Sequence, residues 1–483
     1  MPRLRENSEM PNTKIVATLG PASDPPDILR SLLGAGVDVF RLNASHGVWE
    51  DHAKRIDLVR KVAAEAGKHT GILLDLQGPK IRLGKFEGGT ATLVRGQRFT
   101  ITTENILGTA ERASTGYAQL ANDVKPGDRV LLADGCVELR TLSSDGIQAI
   151  FEVVLGGVIG NNKGINLPGV KVSAPAMTGK DLRDLQAGLA AGVDMVALSF
   201  VRNADDVKNL RACMGKKHAD VPIIAKIEKP EGYDNVQGIL QVAEGVMVAR
   251  GDLGVEISLE RVPPMQKSII RRARREGNFV ITATQMLESM IQNPTPTRAE
   301  VSDVANAIYD GTDAVMLSAE TSVGAYPVQT VQYMARIAHE AERSINKRGF
   351  QDPPPHNDPT TAQVVADMAY HAARLSKAAA VVVFTSTGRS ARLVSRYRPP
   401  VPIFAVTPSE RAARALSICY GVIPIVAPHA KTTDQMLGQL DRMLIEQHLL
   451  NVGDTVVFVA GQPVAHAGTT NLMKVHRVGE ISD

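Results

Sequence analysis

Eight short aliphatic runs, each closing on polar residues and parted from the next by helical periodicity, constrain most strongly how this chain folds. They read KIVATLG from Lys14, VDVFRLNAS from Val37, TGILLDLQG from Thr70, DMVALSFV from Asp194, PIIAKIE from Pro222, GVMVARGDLG from Gly245, NFVITATQ from Asn278 and DAVMLSAE from Asp313. Most begin continuously apolar rather than alternating, as parallel strands buried on both faces do. Stretches such as DLRDLQAGLAAG and PPMQKSIIRRARREG lie between them. Eight strand-then-helix units predict a TIM (β/α)8 barrel.

Arg41, Asn43, Ser45, Asp75, Ser199, Lys226, Glu228, Asp252, Thr284, Ser318 and Glu320 all follow the apolar part of a strand. Barrel active sites lie at the C-terminal ends of the strands. One such residue alone reads as a helix cap; the same pattern on strand after strand reads as a site.

Two interruptions divide the chain. Residues 78–175 lack helical periodicity and carry turn signals at EGGT, KPGD, ADG and SSDG, which predicts a small β domain inserted after the third barrel strand. The segment QDPPPHNDPTT reads as a linker. Beyond it AAVVVFTST, PIFAVTPS, GVIPIVAP and DTVVFVAGQ alternate with helical stretches, as in a doubly wound α/β domain. The expected division is barrel 1–77, β domain 78–175, barrel 176–350 and C-terminal α/β domain 351–483.

Composition narrows the function. A net charge of +3 offers no large basic field for nucleic acid or an anionic membrane. Aromatics at 4% leave few platforms for base stacking. The three cysteines, Cys136, Cys213 and Cys419, are too far apart for a CxxC pair. No apolar run is long enough for a membrane span, and MPRLRENSEMPNTK lacks a signal-peptide core, so a cytoplasmic enzyme of small molecules is expected.

The sharpest local pattern is IIAKIEKPEG. Lys226 and Glu228 are two residues apart, so a strand turns both to one side. That pair reads either as a structural salt bridge or as a cationic clamp beside a metal ligand. The next strand ends VARGDLG, where Gly251 admits a ligand close to the backbone and Asp252 adds a second carboxylate. Two carboxylates without His or Cys suit Mg²⁺ or Mn²⁺. Together with Arg41 and Arg82 they point to a phosphoryl substrate. Thr284 offers a hydroxyl at the end of the seventh strand, although a β-branched strand residue needs no further reason. His46 has no acid–base role on this basis.

FRLNASHG, LLDLQGPKIRLG, NKGINLPG, AKIEKPEG, ARGDLG, ATQMLESM, PTPTRAEVSDVANA and MLSAETSVGAYP occur in the order found in pyruvate kinases, which the chain resembles from about Lys14 to Glu342 and more loosely beyond. The resemblance implies a barrel, a β-barrel lid, a C-terminal effector domain and a homotetramer. It also implies glycolytic transfer of phosphoryl from phosphoenolpyruvate to ADP, giving pyruvate and ATP. By the same resemblance Lys226 stabilises the phosphoryl group in flight, and Glu228 and Asp252 hold the divalent ion. Arg41 and Arg82 flank phosphate, Ala249, Gly251, Asp252 and Thr284 cradle the substrate carboxylate, and Thr284, Ser318 and Glu320 serve enolate protonation. His46 and Lys163 neighbour the nucleotide phosphates.

One departure bears on the monovalent ion. Many relatives read Asp-Thr-Lys-Gly-Pro-Glu where this chain reads Asp75-Leu76-Gln77-Gly78-Pro79-Lys80. The pattern is similar to the K⁺-independent branch, with the Lys80 ammonium replacing the charge of K⁺ and Asn43, Ser45 and Asp75 left as site-lining residues. A solvated Lys80 is the other reading. In the C-terminal domain Thr385, Ser386, Thr387, Gly388, Arg389 and Ser390 form a hydroxyl-rich turn before a helix, an anion nest that in the family holds an effector phosphate. The loop Gly461–Gly468 lacks an arginine for a second phosphate, which favours a sugar monophosphate or AMP over a bisphosphate. An enolate-forming carbon–carbon lyase or aldolase and a non-catalytic sugar-phosphate sensor are the competing classes. The inserted domain speaks against the first, and retention of Lys226, Glu228 and Asp252 against the second.

Overall fold

The computed structural model describes residues 10–346, 350, 353, 358–428, 432–463 and 469–480. The linker 351–361 and the loop Gly461–Gly468 therefore fall partly, and the N-terminal nine residues wholly, outside the described residues. Eight parallel strands close into a barrel: β1 (Lys14–Thr18), β2 (Val39–Asn43), β3 (Gly71–Asp75), β4 (Met195–Leu198), β5 (Ile223–Ile227), β6 (Gly245–Ala249), β7 (Phe279–Ala283) and β8 (Ala314–Leu317). All eight aliphatic runs supply a strand. Their residues are buried almost throughout because one face fills the barrel and the other lies under the helices.

A recurrent device ties the bottom of the barrel. An acid immediately precedes each even-numbered strand, and its carboxylate accepts a backbone N–H from the start of the odd-numbered strand before it. Asp38 takes Ile15 N–H (2.9 Å), Asp194 takes Ile72 N–H (2.8 Å), Glu244 takes Ile223 N–H (2.8 Å) and Asp313 takes Val280 N–H (2.9 Å). Each bond is charge-assisted and fixes the stagger of one strand pair.

Between β3 and the helix Gly179–Ala190 the chain builds a separate β-rich layer with one short helix, Leu120–Asp123. It has a six-stranded sheet and a two-stranded pair, Thr90–Leu93 with Gly157–Gly160. Phe99, Ile101, Val130, Leu139, Phe151 and Val153 fill its core. The points of exit and return are pinned together, since Gly78 N–H donates to Asp181 Oδ1 (3.0 Å) in the capping box of that helix. Gly78 has φ +69°, and a Cβ there would stand 2.9 Å from Ser199 and Phe200 side-chain atoms, so only glycine leaves the barrel at this point.

The C-terminal domain is a five-stranded mixed sheet. Ala380–Phe384, Ile403–Thr407, Val422–Val426 and Thr455–Gly461 are parallel, and Thr470–Arg477 pairs antiparallel with the last of them. The sequence reading had four strands; the fifth is an addition. Its core is continuous with the interior of the barrel bottom, where Val16, Leu73, Ile224, Met247 and Ile281 cluster with Val381, Leu393, Ile403 and Leu416. The domain thus caps the N-terminal ends of the barrel strands and leaves the opposite end open.

Candidate active site

At the open end one chain of polar contacts links five consecutive strand ends. Arg41 Nε donates to Asp75 Oδ2 (2.7 Å) and its Nη1 to Thr18 Oγ1 (3.1 Å). Lys226 Nζ lies 3.2 Å from Asp75 Oδ1 and 3.0 Å from Glu228 Oε1, and donates to Ser199 Oγ (2.7 Å). Ser199 Oγ in turn donates to Leu76 C=O (2.7 Å), and Glu228 Oε2 accepts Phe200 N–H (2.6 Å). Strand alternation turns Lys226 and Glu228 to one side, as their spacing predicts.

The charges of this cluster depend on one another. Burial would strip Lys226 of its proton, but the carboxylates of Asp75 and Glu228 outweigh it and hold the ammonium above its ordinary range. Burial likewise favours a neutral Asp75, yet Lys226 and Arg41 keep its carboxyl below the usual value. Burial raises Glu228, the neighbouring charge of Asp252 adds to that, and Lys226 opposes both. Two adjacent carboxylates that resist sharing negative charge are what a divalent cation relieves. The Asp252 carboxylate has no hydrogen bond or ion pair among the described residues, which leaves its oxygens available to such an ion. Among the described residues no group of three or more His, Cys, Asp or Glu is arranged for a metal, so substrate oxygens and water would complete the coordination of an ion held by these two.

The other side of the mouth is built from β6 and β7. The helix Arg250–Glu256 begins directly after β6, and Gly251 N–H donates to Thr284 Oγ1 (2.8 Å). A Cβ on Gly251 would come within 3.4 Å of that hydroxyl, so glycine keeps the approach open. Thr284 Oγ1 donates to Ala283 C=O (2.6 Å). Thr284 has φ 68°, an outlier for a β-branched residue, and Gln285 follows at φ 53°. Arg250, which the sequence reading did not single out, clamps this turn: its guanidinium donates to Ala283 C=O (3.2 Å) and Thr284 C=O (2.7 Å) and pairs with Asp303 (2.7 Å). Nothing in VARGDLG distinguishes Arg250 from a surface arginine, because its partners come from the end of β7 and from the helix Arg298–Tyr309. Glu320 lies under the end of β8, with its oxygens accepting Leu287 N–H (3.2 Å) and Ser318 N–H (2.7 Å); burial raises its pKa.

The inserted layer forms the opposite wall. A cleft of about 570 Å³, including space open to solvent, runs between it and the barrel, lined by Lys80, Asn166, Phe200, Lys229, Asp252 and Glu256 among others. Asn166 reaches from the layer to Glu256 Oε1 on the barrel (3.2 Å). Arg82 Nη1 donates to Asn162 C=O (3.1 Å), and Lys163 next to it is exposed. Partial burial first, then Arg82, Lys80 and Arg41, lower the pKa of His46, so these groups face one another. Lys80 is exposed and makes no ion pair among the described residues. Asn43 is half-buried and accepts Ser45 N–H (3.1 Å). The hydroxyl-rich turn lies far from this mouth, in the domain that caps the barrel bottom. There Gly388 N–H donates to Thr385 Oγ1 (2.9 Å), Ser390 Oγ meets Thr470 Oγ1 (2.5 Å), and Ser386, Thr387 and Arg389 are exposed.

A closed barrel whose open end gathers a buried ammonium, guanidinium groups and two metal-suited carboxylates under a separate β layer defines a phosphotransferase of the TIM-barrel class. Residues 10–331 match the family model for the pyruvate kinase barrel domain, and residues 363–476 that for the pyruvate kinase alpha/beta domain. The chain belongs to the pyruvate kinase family. It is 45% identical over 478 residues to the pyruvate kinase of Sporosarcina psychrophila, covering 98% of this chain and 81% of that protein. It is also 45% identical over 473 residues to that of Geobacillus stearothermophilus, covering 97% and 81%. The crystal structure of a pyruvate kinase from Cryptosporidium parvum superposes with a TM-score of 0.90 at 36% identity, covering 99% of this chain and 98% of that one. Phosphoenolpyruvate, ADP, ATP and pyruvate are therefore its ligands, and Mg²⁺ the ion that the family generally uses. No helix among the described residues is long and apolar enough to cross a membrane.

Proposed function

We propose that this chain performs the last phosphoryl transfer of glycolysis in the cytoplasm, with Lys226 as its central charge and without a requirement for K⁺. The observation that carries the assignment is the buried Lys226 ammonium, set among Asp75, Glu228 and Ser199 at the mouth. An oxygen of the ADP β-phosphate attacks phosphorus, the bond from phosphorus to the enol oxygen breaks, and the enolate takes a proton on carbon. Lys226 and Arg41 offset the charge on the phosphoryl oxygens. Glu228 and Asp252 would hold a divalent ion, which would supply further neutralisation of charge there. The backbone from Ala249 to Asp252, with Thr284, holds the substrate carboxylate. Thr284, Ser318 and Glu320 serve the proton transfer, with Glu320 ordering the backbone beneath. Arg82, Lys163 and His46 face the nucleotide phosphates.

Leu76 in place of a threonine, with Lys80 in place of an acid, supports K⁺ independence: Lys80 stands in the positive group that also lowers His46. The exposed Ser386 and Thr387 support an effector phosphate, from a sugar monophosphate or AMP, at the turn Thr385–Ser390; the domain boundaries and a homotetramer complete the reading. A coupled assay for pyruvate, run with and without ADP in tetramethylammonium buffer, tests it. ADP-dependent pyruvate formation that KCl leaves unchanged is expected. Pyruvate without ADP would point to a different reaction, and strong activation by KCl would overturn the role of Lys80.

A further inference from the structure

The loop that follows β2, Ala44–Val48, carries Ser45 and His46 to the rim of the mouth and runs into the helix Trp49–Glu65. Its inner end is tied to the strands. Asn43 pairs with Asp75 across β2 and β3, Ala44 N–H donates to Asp75 C=O (3.0 Å), and Ser45 N–H donates to Asn43 Oδ1 (3.1 Å). Its outer part closes a single turn, from His46 N–H to Asn43 C=O (3.2 Å), and His46, Gly47 and Val48 are exposed. Two side chains reach carbonyls of this loop. His52 Nε2 donates to His46 C=O (2.9 Å) from the helix that follows. Lys180 Nζ donates to Ala44 C=O (2.6 Å) from 136 residues away in the chain.

Lys180 stands in the first turn of the helix Gly179–Ala190, where the chain returns from the inserted layer. Asp184, one turn on, pairs with the same ammonium. An exposed pair of this spacing would count for little by itself. Here the ammonium also meets the carbonyl of the buried Ala44, and such a bond is charge-assisted. The next residue, Asp181, takes Gly78 N–H (3.0 Å) where the chain leaves the barrel for the inserted layer. One helical turn thus holds both the loop that bears His46 and the segment that leads to Lys80 and Arg82, and His46 lies within the field of those two cations. Farther along the same helix, a Cβ on Gly188 would stand 3.5 Å from the Trp49 ring, so the helix also backs the residue at which the loop ends.

We infer that Lys180 is a positioning residue for the nucleotide: its bond to Ala44 C=O sets the loop that carries His46 against the cations of the inserted layer. The inference rests on the reading that His46, Arg82 and Lys163 face the nucleotide phosphates. Lys180 touches no reacting atom, so its effect falls on binding. Without its bond the outer loop shifts, while Asn43 and Ser45 keep their own ties to the strands. ADP therefore loses affinity and phosphoenolpyruvate does not.

Trp49, the sole tryptophan of the chain, stands at the end of the loop and reports on it. Titration of the full chain with ADP and Mg²⁺, followed by Trp49 fluorescence, is combined with steady-state kinetics in both substrates for Lys180→Met and Lys180→Arg. Lys180→Met is expected to weaken ADP about 10-fold in the titration and in KM, with kcat and the KM for phosphoenolpyruvate within about twofold of wild type. Lys180→Arg keeps a charged donor and is expected to recover most of the ADP affinity. Equal losses for both substrates with a lowered unfolding midpoint would mark Lys180 as structural and overturn the inference. Wild-type ADP affinity in Lys180→Met would overturn it as well, while leaving the nucleotide assignment intact. A wild-type protein in which neither Trp49 nor the His46 ring responds to ADP would overturn the nucleotide assignment, and the inference with it.

Discussion

Lys226 Nζ stands 3.0 Å from Glu228 Oε1, two residues further along the same chain, and Asp75 on β3 holds the same ammonium from the other side at 3.2 Å. The ammonium is thus preorganised by two fixed carboxylates before substrate arrives. A charge placed this close to a transferring phosphoryl group supplies about 3–4 kcal/mol of transition-state stabilisation, or roughly 10²–10³ in rate. Lys226→Met is expected to lower kcat by at least that factor while substrate protection against thermal unfolding persists. Steady-state kinetics beside a thermal-shift titration with phosphoenolpyruvate measures both, and turnover near wild type would sink the assignment.

Thr284 sits at φ 68°, where its branched side chain is strained, and it holds Gly251 N–H through its hydroxyl. Thr284→Ala removes the hydroxyl and eases the strain. Turnover is expected to fall by about 10²-fold or more, the scale of a lost proton-transfer group, while the unfolding midpoint stays level or rises. Equal losses of activity and stability would instead mark Thr284 as structural.

His46 shares its surroundings with Arg82, Lys80 and Arg41, and partial burial together with those charges lowers its pKa below 6.5. A lowered histidine pKa means that the imidazole is neutral at pH 7 and gains its proton only as pH falls below that value. Nucleotide phosphates bound beside it would reverse the local field. An NMR titration of the ring protons is expected to give a value under 6.5 in the free protein and an upward shift with ADP; an unchanged value would remove His46 from the nucleotide's neighbourhood.

Arg398 and Asp313 form a fully buried pair that joins the C-terminal domain to the start of β8. Removing one partner leaves the other charge stranded. Arg398→Met is expected to destabilise the docking of that domain by about 3–5 kcal/mol, read from denaturant unfolding. Arg414→Met, on a more exposed pair with Asp194, is expected to cost less. The reverse order would mean that the seam is held mainly by its apolar core.

The eight barrel strands were legible because strands buried on both faces must be apolar throughout, and that leaves an unbroken aliphatic run in the chain. The fifth C-terminal strand, TNLMKVHR, was not. It is an edge strand paired on one side, half-exposed along most of its length, and its mixed polarity matches neither period. The ring of acids was written in the sequence too, one directly before each even-numbered barrel strand, but only as four ordinary residues at strand starts. Their common purpose needs the register that places each beside its neighbour's N–H. The pairing of Lys226 with Glu228 was legible from a spacing of two, whereas Asp75 reaches the same ammonium from a strand far away in the chain.

The sequence by itself determined the order of strands and helices, the inserted β layer and the residue types gathered at strand ends, since burial pattern and turn chemistry are local properties. The tertiary structure alone decided which charges meet: that Asp75 faces Lys226, that Arg250 clamps the turn at Thr284, and that Arg398 reaches Asp313 at the start of β8. Coulombic interaction and desolvation depend on distance in space and on depth below the surface, and closing the barrel and docking the C-terminal domain fix both.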